Sequence, residues 1–117
     1  MRQQIENRLI HLAVGINQLT KTLDNSLLSQ NIAAQIIRSS SSAALNYGEA
    51  QGAESKKDFI HKSSIVLKEL RETHISLKLI KESKISLEEL ELTPLMDECN
   101  QLIAIFHKTV TTAKSRI

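Results

Sequence analysis

The sequence predicts an all-α protein folded as an antiparallel, up-down-up-down four-helix bundle. Three observations carry that expectation. Along four separate stretches, apolar residues recur at alternating spacings of four and three. Three Gly, one Pro, one Tyr, two Phe and no Trp in 117 residues leave little material for a β-sandwich or barrel, which needs Gly/Pro turns and aromatic or β-branched strands. The connections between the stretches are short, which makes successive helices antiparallel neighbours. Residues 1–117 make one domain, large enough to bury about two-thirds of its unfolded surface without staples.

The first helix is expected from about Gln3 to Leu23. Ile5, Leu9, Leu12, Ile16, Leu19 and Leu23 form a heptad seam. Gly15 costs about 1 kcal/mol against Ala in mid-helix, and its missing side chain permits a close helix approach. Asp24-Asn25-Ser26 supplies stop and start chemistry. The second helix is expected over Ser26–Ala50, on Leu28, Ile32, Ile36 and Ile37. The run Ser39–Ser42 is poor helix sequence, because serine hydroxyls compete for backbone partners. It reads either as a linker or, the preferred reading, as a buried helix whose small Ser39, Ser42 and Ala43 let a neighbour pack closely. Gly48 and Gly52 weaken its end.

The third helix is expected over Ser55–Lys81. Ser55 and Asp58 resemble a capping box, with Asp in place of Glu or Gln. Phe59, Ser63, Val66, Leu70, Thr73, Leu77 and Ile80 form its seam, and Ile60, Leu67 and His74 a second line. At 1.5 Å per residue this is a rod of about 40 Å. Ser86 with Glu89 offers a capping box for the fourth helix. Thr93-Pro94 offers a second start, so the chain either begins its main helix there or kinks at Pro94. Met96, Cys99, Leu102 or Ile103, Phe106, Val110 and Ala113 form the last seam. Ile10, Ala13 and Val14 on the first helix, and Leu95 and Ile105 on the fourth, widen the apolar stripes. Wide stripes fit a broad core or a second face buried against another subunit.

Composition excludes several function classes. A single cysteine, Cys99, forbids an internal disulfide and a cysteine-rich zinc site, and its place in the seam makes it a buried structural thiol. The longest uncharged run is the 13 residues from Asn25 to Ile37, too short to span a membrane. Met1-Arg-Gln-Gln-Ile-Glu has no apolar region of a secretory signal, and the expected compartment is the cytoplasm. A di-metal bundle site needs paired Glu-x-x-His motifs; the nearest spacing here is Asp58 with His61, and Glu72 with His74 is misplaced. His11, His61, His74 and His107 are scattered. There is no Gly-x-Ser-x-Gly elbow and no Gly-rich phosphate loop. No catalytic residue, metal or cofactor is therefore assigned.

Charge is unevenly distributed. The total is +2. Residues 53–84 carry eight bases against five acids, and residues 85–100 carry five acids and no base. The third helix thus gathers Lys56, Lys57, Lys62, Lys68, Arg71 and Lys78, a candidate phosphate-binding set for RNA or DNA. The opposing reading is a solvated face with i, i+4 pairs such as Asp58–Lys62 and Lys68–Glu72. No aromatic platform accompanies the bases, so single-strand base stacking is not expected.

Three motifs follow one another in the second and third helices. They are Arg38-Ser-Ser-Ser-Ser42-Ala-Ala-Leu-Asn46-Tyr-Gly-Glu49-Ala50, then Ser55-Lys-Lys57-Asp58-Phe59-Ile60-His-Lys62, then Leu67-Lys68-Glu69-Leu-Arg-Glu72-Thr73. This succession resembles the four-helix-bundle proteins of the 23S rRNA intervening-sequence family. The resemblance covers residues 5–115 in outline and is specific over 38–73. The chain departs from the pattern at Ala43, where an Ile or Val is usual, at His74-Ile75-Ser76, where aromatics are common, and in the turn at 85–94.

The resemblance implies a helical serine run and a bundle that assembles as a ring-like homopentamer. Some members are encoded in segments that interrupt 23S rRNA genes. Accessory proteins of diversity-generating retroelements are related, with pentameric, basic surfaces that bind a reverse transcriptase and nucleic acid. In this light Arg38, Asn46, Glu49, Glu69 and Glu72 are expected to form a polar network that fixes the register of the second and third helices. The expected function is a non-enzymatic, homo-oligomeric scaffold whose first partner is itself. The alternative is a nucleic-acid-binding accessory protein that uses the basic faces of the oligomer, with a further protein such as a reverse transcriptase as partner.

Overall fold

A computed structural model describes residues 2–87 and 91–116. Four helices, α1 (Arg2–Thr20), α2 (Leu27–Gln51), α3 (Lys56–Ser83) and α4 (Leu92–Ser115), run up and down a rod of 47 × 21 × 21 Å. Each packs on its neighbours in sequence, and α4 closes back on α1. The α2–α3 pairing is the most extensive and the α1–α4 edge the loosest.

The heptad seams are the core. Leu9, Leu12, Ile16 and Leu19 of α1 are buried against Ile32, Ile36 and Ala43 of α2 and against Val66, Leu70, Leu77 and Ile80 of α3, with Cys99, Leu102 and Phe106 from α4. Each fully buried Leu or Ile contributes about 1.5–3 kcal/mol of transfer free energy, so the spacing pattern is also the main source of stability.

The termini follow from side-chain chemistry. α1 stops at Thr20, earlier than its seam suggests. Thr20 Oγ1 donates to the Asn17 carbonyl at 2.7 Å and Thr22 Oγ1 to the Leu19 carbonyl at 2.7 Å, while the backbone N–H groups of Lys21, Thr22 and Leu23 donate to the carbonyls of Gln18, Leu19 and Thr20, so all four last carbonyls are satisfied. Leu23, still buried, leaves the helix to form an isolated antiparallel bridge with Ser86. Asp24 N–H donates to the Ile85 carbonyl at 2.9 Å and Leu87 N–H to the Thr22 carbonyl at 2.8 Å. The α1–α2 turn and the α3–α4 connection are thereby tied at one end of the rod.

Ser26 caps α2 by accepting from Ser29 N–H at 3.1 Å, and Asp24 Oδ1 accepts from Ser26 N–H at 3.0 Å and from Ser29 Oγ at 2.6 Å. Ser55 caps α3 through Asp58 N–H at 3.0 Å. Lys84 ends α3 in the left-handed region at φ 56°. Pro94 is the third residue of α4, in its first turn, where its missing N–H has no intrahelical acceptor to lose, so the helix starts two residues before the expected second start and Pro94 does not interrupt it. The proposed Ser86–Glu89 box lies partly outside the described residues.

The serine run is continuous helix. Ser40 Oγ donates to the Ile36 carbonyl at 2.8 Å and Ser41 Oγ to the Ile37 carbonyl at 2.7 Å, so the hydroxyls bond back one turn without breaking the ladder. Ser39, Ser40 and Ala43 are buried, and Ser39 Oγ meets Thr73 Oγ1 at 2.7 Å across the α2–α3 contact. Small residues therefore bring these two helices close, while Ser42 is only half-buried. At Gly15 a Cβ would lie 2.8 Å from Leu95 Cδ2, so this glycine admits α4 to the loose edge of α1.

Candidate interaction surfaces

The polar residues of α2 and α3 form two contacts, not one network. Arg38 projects from the outer flank of α2 across to α3. Its Nη1 donates to Glu69 Oε2 at 3.0 Å, and its Nη2 pairs with Glu72 Oε2 at 2.7 Å. Glu69 is almost fully buried, with 6% side-chain exposure, and the half-exposed Arg38 supplies its compensating charge. The guanidinium hydrogen bond holds the Glu72 carboxyl below its ordinary range, and Glu72 in turn raises Arg38.

One helical span further along, Lys62 Nζ pairs with Glu49 Oε1 at 2.7 Å, which raises the lysine. The antiparallel register thus sets Glu49 across from Lys62, not across from Glu69 and Glu72. Asn46 turns back to its own helix and donates to the Ser42 carbonyl at 2.9 Å and to Ser42 Oγ at 3.1 Å.

The six candidate phosphate-binding bases of α3 separate by environment. Lys62 is taken by Glu49. Lys56 lies at the end of the rod, where its Nζ donates to the Arg116 carbonyl at 3.2 Å. Lys57, Lys68, Arg71 and Lys78 are exposed on the outward side of α3, and none is in an ion pair among the described residues. Neither Asp58–Lys62 nor Lys68–Glu72 forms, because Glu49 and Arg38 reach those partners from α2.

Exposed aliphatic side chains make a second surface. Ile10 and Val14 of α1, Leu27, Leu28, Ile37 and Leu45 of α2, and Ile75 and Leu79 of α3 are all more than a third exposed. Leu27 and Leu45 stand out at 84% and 69%. Among the described residues α4 contributes no large exposed hydrophobic; four of the eight lie on α2 and two each on α1 and α3. Ile10 and Val14 were visible in the sequence as surplus apolar residues. Leu27, Leu45, Ile75 and Leu79 were not singled out, although they lie on the 3.6-residue face opposite each seam, which is the signal that finds them. Leu95 and Ile105 instead pack against the core.

The remaining candidate groups are enclosed or scattered. Cys99 is buried and its Sγ donates to the Leu70 carbonyl at 3.3 Å. Burial, and then the neighbouring Glu98, push the thiol up to about 12, far from the thiolate a nucleophile needs. His74 is half-buried, and desolvation with Lys78 lowers it. Among the described residues no three His, Cys, Asp or Glu side chains gather as a metal-binding group would, and no helix is long and apolar enough to cross a membrane.

The model of the 23S rRNA-intervening sequence protein family matches residues 2–108. The chain belongs to that family. A crystal structure of a protein of unknown function from the S23 ribosomal protein family of Bacteroides thetaiotaomicron is similar to it. The two share 28% identity over 91% of this chain and 97% of the other, with a TM-score of 0.77. Among curated proteins none matches.

Proposed function

We propose that this family member is a non-enzymatic scaffold that assembles with copies of itself through the aliphatic wall centred on α2, as a ring of five subunits. One observation carries the reading: eight large aliphatic residues are exposed on α1, α2 and α3, while the described part of α4 exposes none. Exposed aliphatic surface is the material from which interfaces between subunits are built. The number five comes from the family resemblance. Leu45→Asp tests the wall, since Leu45 is 69% exposed and takes no part in the core. This variant is expected to keep its helical circular dichroism and to run at the single-chain mass of 13.1 kDa. An unchanged assembly mass would remove α2 from the interface.

A second reading has its own support. Lys57, Lys68, Arg71 and Lys78 remain free of ion pairs among the described residues, along about 32 Å of α3. Repeated around an oligomer, that stripe suits the phosphate backbone of RNA or DNA. Ile75 and Leu79 interleave with it, so copies packed on α3 compete with nucleic acid for the lysine at 78. Binding of a labelled RNA duplex should fall steeply with salt and weaken in Lys68→Glu/Arg71→Glu. The absence of binding at low salt would sink this reading.

A further inference from the structure

The exposed aliphatic residues fall on two sides of the rod, because α2 meets α1 on one flank and α3 on the other. Arg38 and Glu49 mark the flank that faces α3, where they reach Glu69, Glu72 and Lys62. Leu79 lies two turns beyond Glu72 on the same face of α3, and Ile75 lies one turn beyond. Counting ten residues back from Arg38 and ten on from Glu69 along the antiparallel pair sets Leu28 abreast of Leu79. Leu28, Ile75 and Leu79 thus form a patch on the α2–α3 side.

Ile37 belongs to the other side. It precedes Arg38 by one residue and is turned about 100° away from it. Ala33 and Ala44, on the same line of α2, pack against the edge of the core. On α1, Arg8 and Gly15 mark the flank that meets α4, through Glu98 and Leu95, and Ile10 and Val14 are turned away from both. Glu6 and Tyr47 line one hollow. Counting inward from that pair brings Ile10 and Val14 abreast of Ser39–Ala43, next to Ile37. Ile10, Val14 and Ile37 thus form a second patch, on the α1–α2 side.

The patches differ in relief. Ala34 and Ser41, exposed beside Ile37 at i−3 and i+4, leave hollows in the α1–α2 patch, whereas Leu28, Ile75 and Leu79 project. Charge is also missing between them. α2 has two charged residues in 25, Arg38 and Glu49, and both are paired with α3. Depletion of charge on an exposed face is the compositional mark of a subunit contact. Each side of the rod, 47 Å long and 21 Å wide, has room for the ~800 Å² per partner of a standard interface.

Adjacent sides of a section 21 Å by 21 Å face about 90° apart. Like patches meeting across a two-fold axis make pairs and stop. Unlike patches make rings, and their angle sets the number: about 90° closes with four copies and about 108° with five. We propose that the self-assembly set out above is head to tail, with the α2–α3 patch of one copy seated on the α1–α2 patch of the next. The inference rests on that self-assembly and adds its polarity. α2, the edge shared by both sides, then faces the ring axis, and α4, the opposite edge, faces outward. The helix whose described part exposes no large hydrophobic is the one no copy covers.

The test uses the assembled protein. Val14→Cys and Leu79→Cys place a thiol in either patch, at positions 54% and 48% exposed. The wild-type chain, with its enclosed Cys99, is the control. With a flexible bis-maleimide, each single variant is expected to stay unlinked, because position 14 meets position 79 of the next copy and not its own like. Val14→Cys/Leu79→Cys is expected to give a ladder of linked chains. Val14→Asp and Leu79→Asp should each reduce the assembly to the single-chain mass of 13.1 kDa. Ala104→Asp, exposed on α4, should leave the mass unchanged. Circular dichroism confirms the fold of each variant. Linked pairs from either single variant would overturn the head-to-tail contact. So would an unlinked double variant in an intact assembly, or a loss of mass in Ala104→Asp. A wild-type chain at single-chain mass would instead overturn self-assembly itself, which keeps the two claims apart.

Discussion

Ser63 is the one described side chain with a fully buried polar atom and no hydrogen-bond partner. It occupies a seam position where every neighbour is apolar by pattern, and its hydroxyl loses water without gaining an acceptor. An unmet buried hydroxyl costs about 1–3 kcal/mol, and Ala is also the better helix former. Ser63→Ala should therefore raise stability by about 1 kcal/mol, read as a higher urea midpoint at unchanged slope. A lower midpoint would mean that the hydroxyl has a partner after all. Cys99 makes the opposite case, a polar atom that is both buried and bonded. With its thiol pushed up to about 12 and enclosed at 0% exposure, Cys99 should react with a thiol reagent in the native protein only as fast as the bundle opens, and at once in denaturant. Rapid stoichiometric labelling of the folded chain would contradict its burial. The seam placed Cys99 correctly from sequence alone. The resemblance grouped Arg38 with Glu69 and Glu72, but which of the five polar residues pair was not legible, because a long side chain reaches two partners on another helix and periodicity carries no information about reach.

At the level of helices, the serine run shows what a local pattern can and cannot decide. Four consecutive serines disfavour a helix by intrinsic preference. Here Ser39, Ser40 and Ala43 face the core, and their small size brings α2 onto α3 in the most extensive contact of the bundle. Tertiary packing overrides propensity, as the small side chains of the run suggested, and the resemblance to a family favoured the same outcome. The clasp across this contact is sensitive for the same reason. Glu69 is buried with Arg38 as its cation, so Arg38→Met should lower the melting temperature clearly, while the same change in a Glu69→Gln background should cost much less. Equal losses in both backgrounds would show that Arg38 acts through packing alone. Arg38 holds Glu72 below its ordinary value. Its contribution is therefore full at neutral pH and fades as pH falls through the lowered folded value. Helix ends were less legible than helix interiors. α1 stops short of its apolar seam because the Thr20 and Thr22 hydroxyls and the turn N–H groups take its last carbonyls, and Leu23 is buried from a bridge instead of a helix.

For the whole molecule, the sequence carried the number and order of the helices and most of their inner faces, since each rests on spacing; Leu28 and Ile37, expected in the apolar pattern of α2, are instead 43% and 39% exposed. The outer aliphatic wall was half visible, in Ile10 and Val14, and half missed, in Leu27, Leu45, Ile75 and Leu79. Sorting inner from outer apolar residues requires knowing which helices are neighbours, and that is a property of the assembled bundle. Surplus aliphatic surface lies on three helices and none on the described part of α4, and the proposed self-assembly would cover it. The most direct test of that claim is the mass of the purified chain in solution by light scattering with refractive-index detection, over a range of micromolar concentrations. A constant mass of five times 13.1 kDa is expected. A constant mass of one chain would contradict the account.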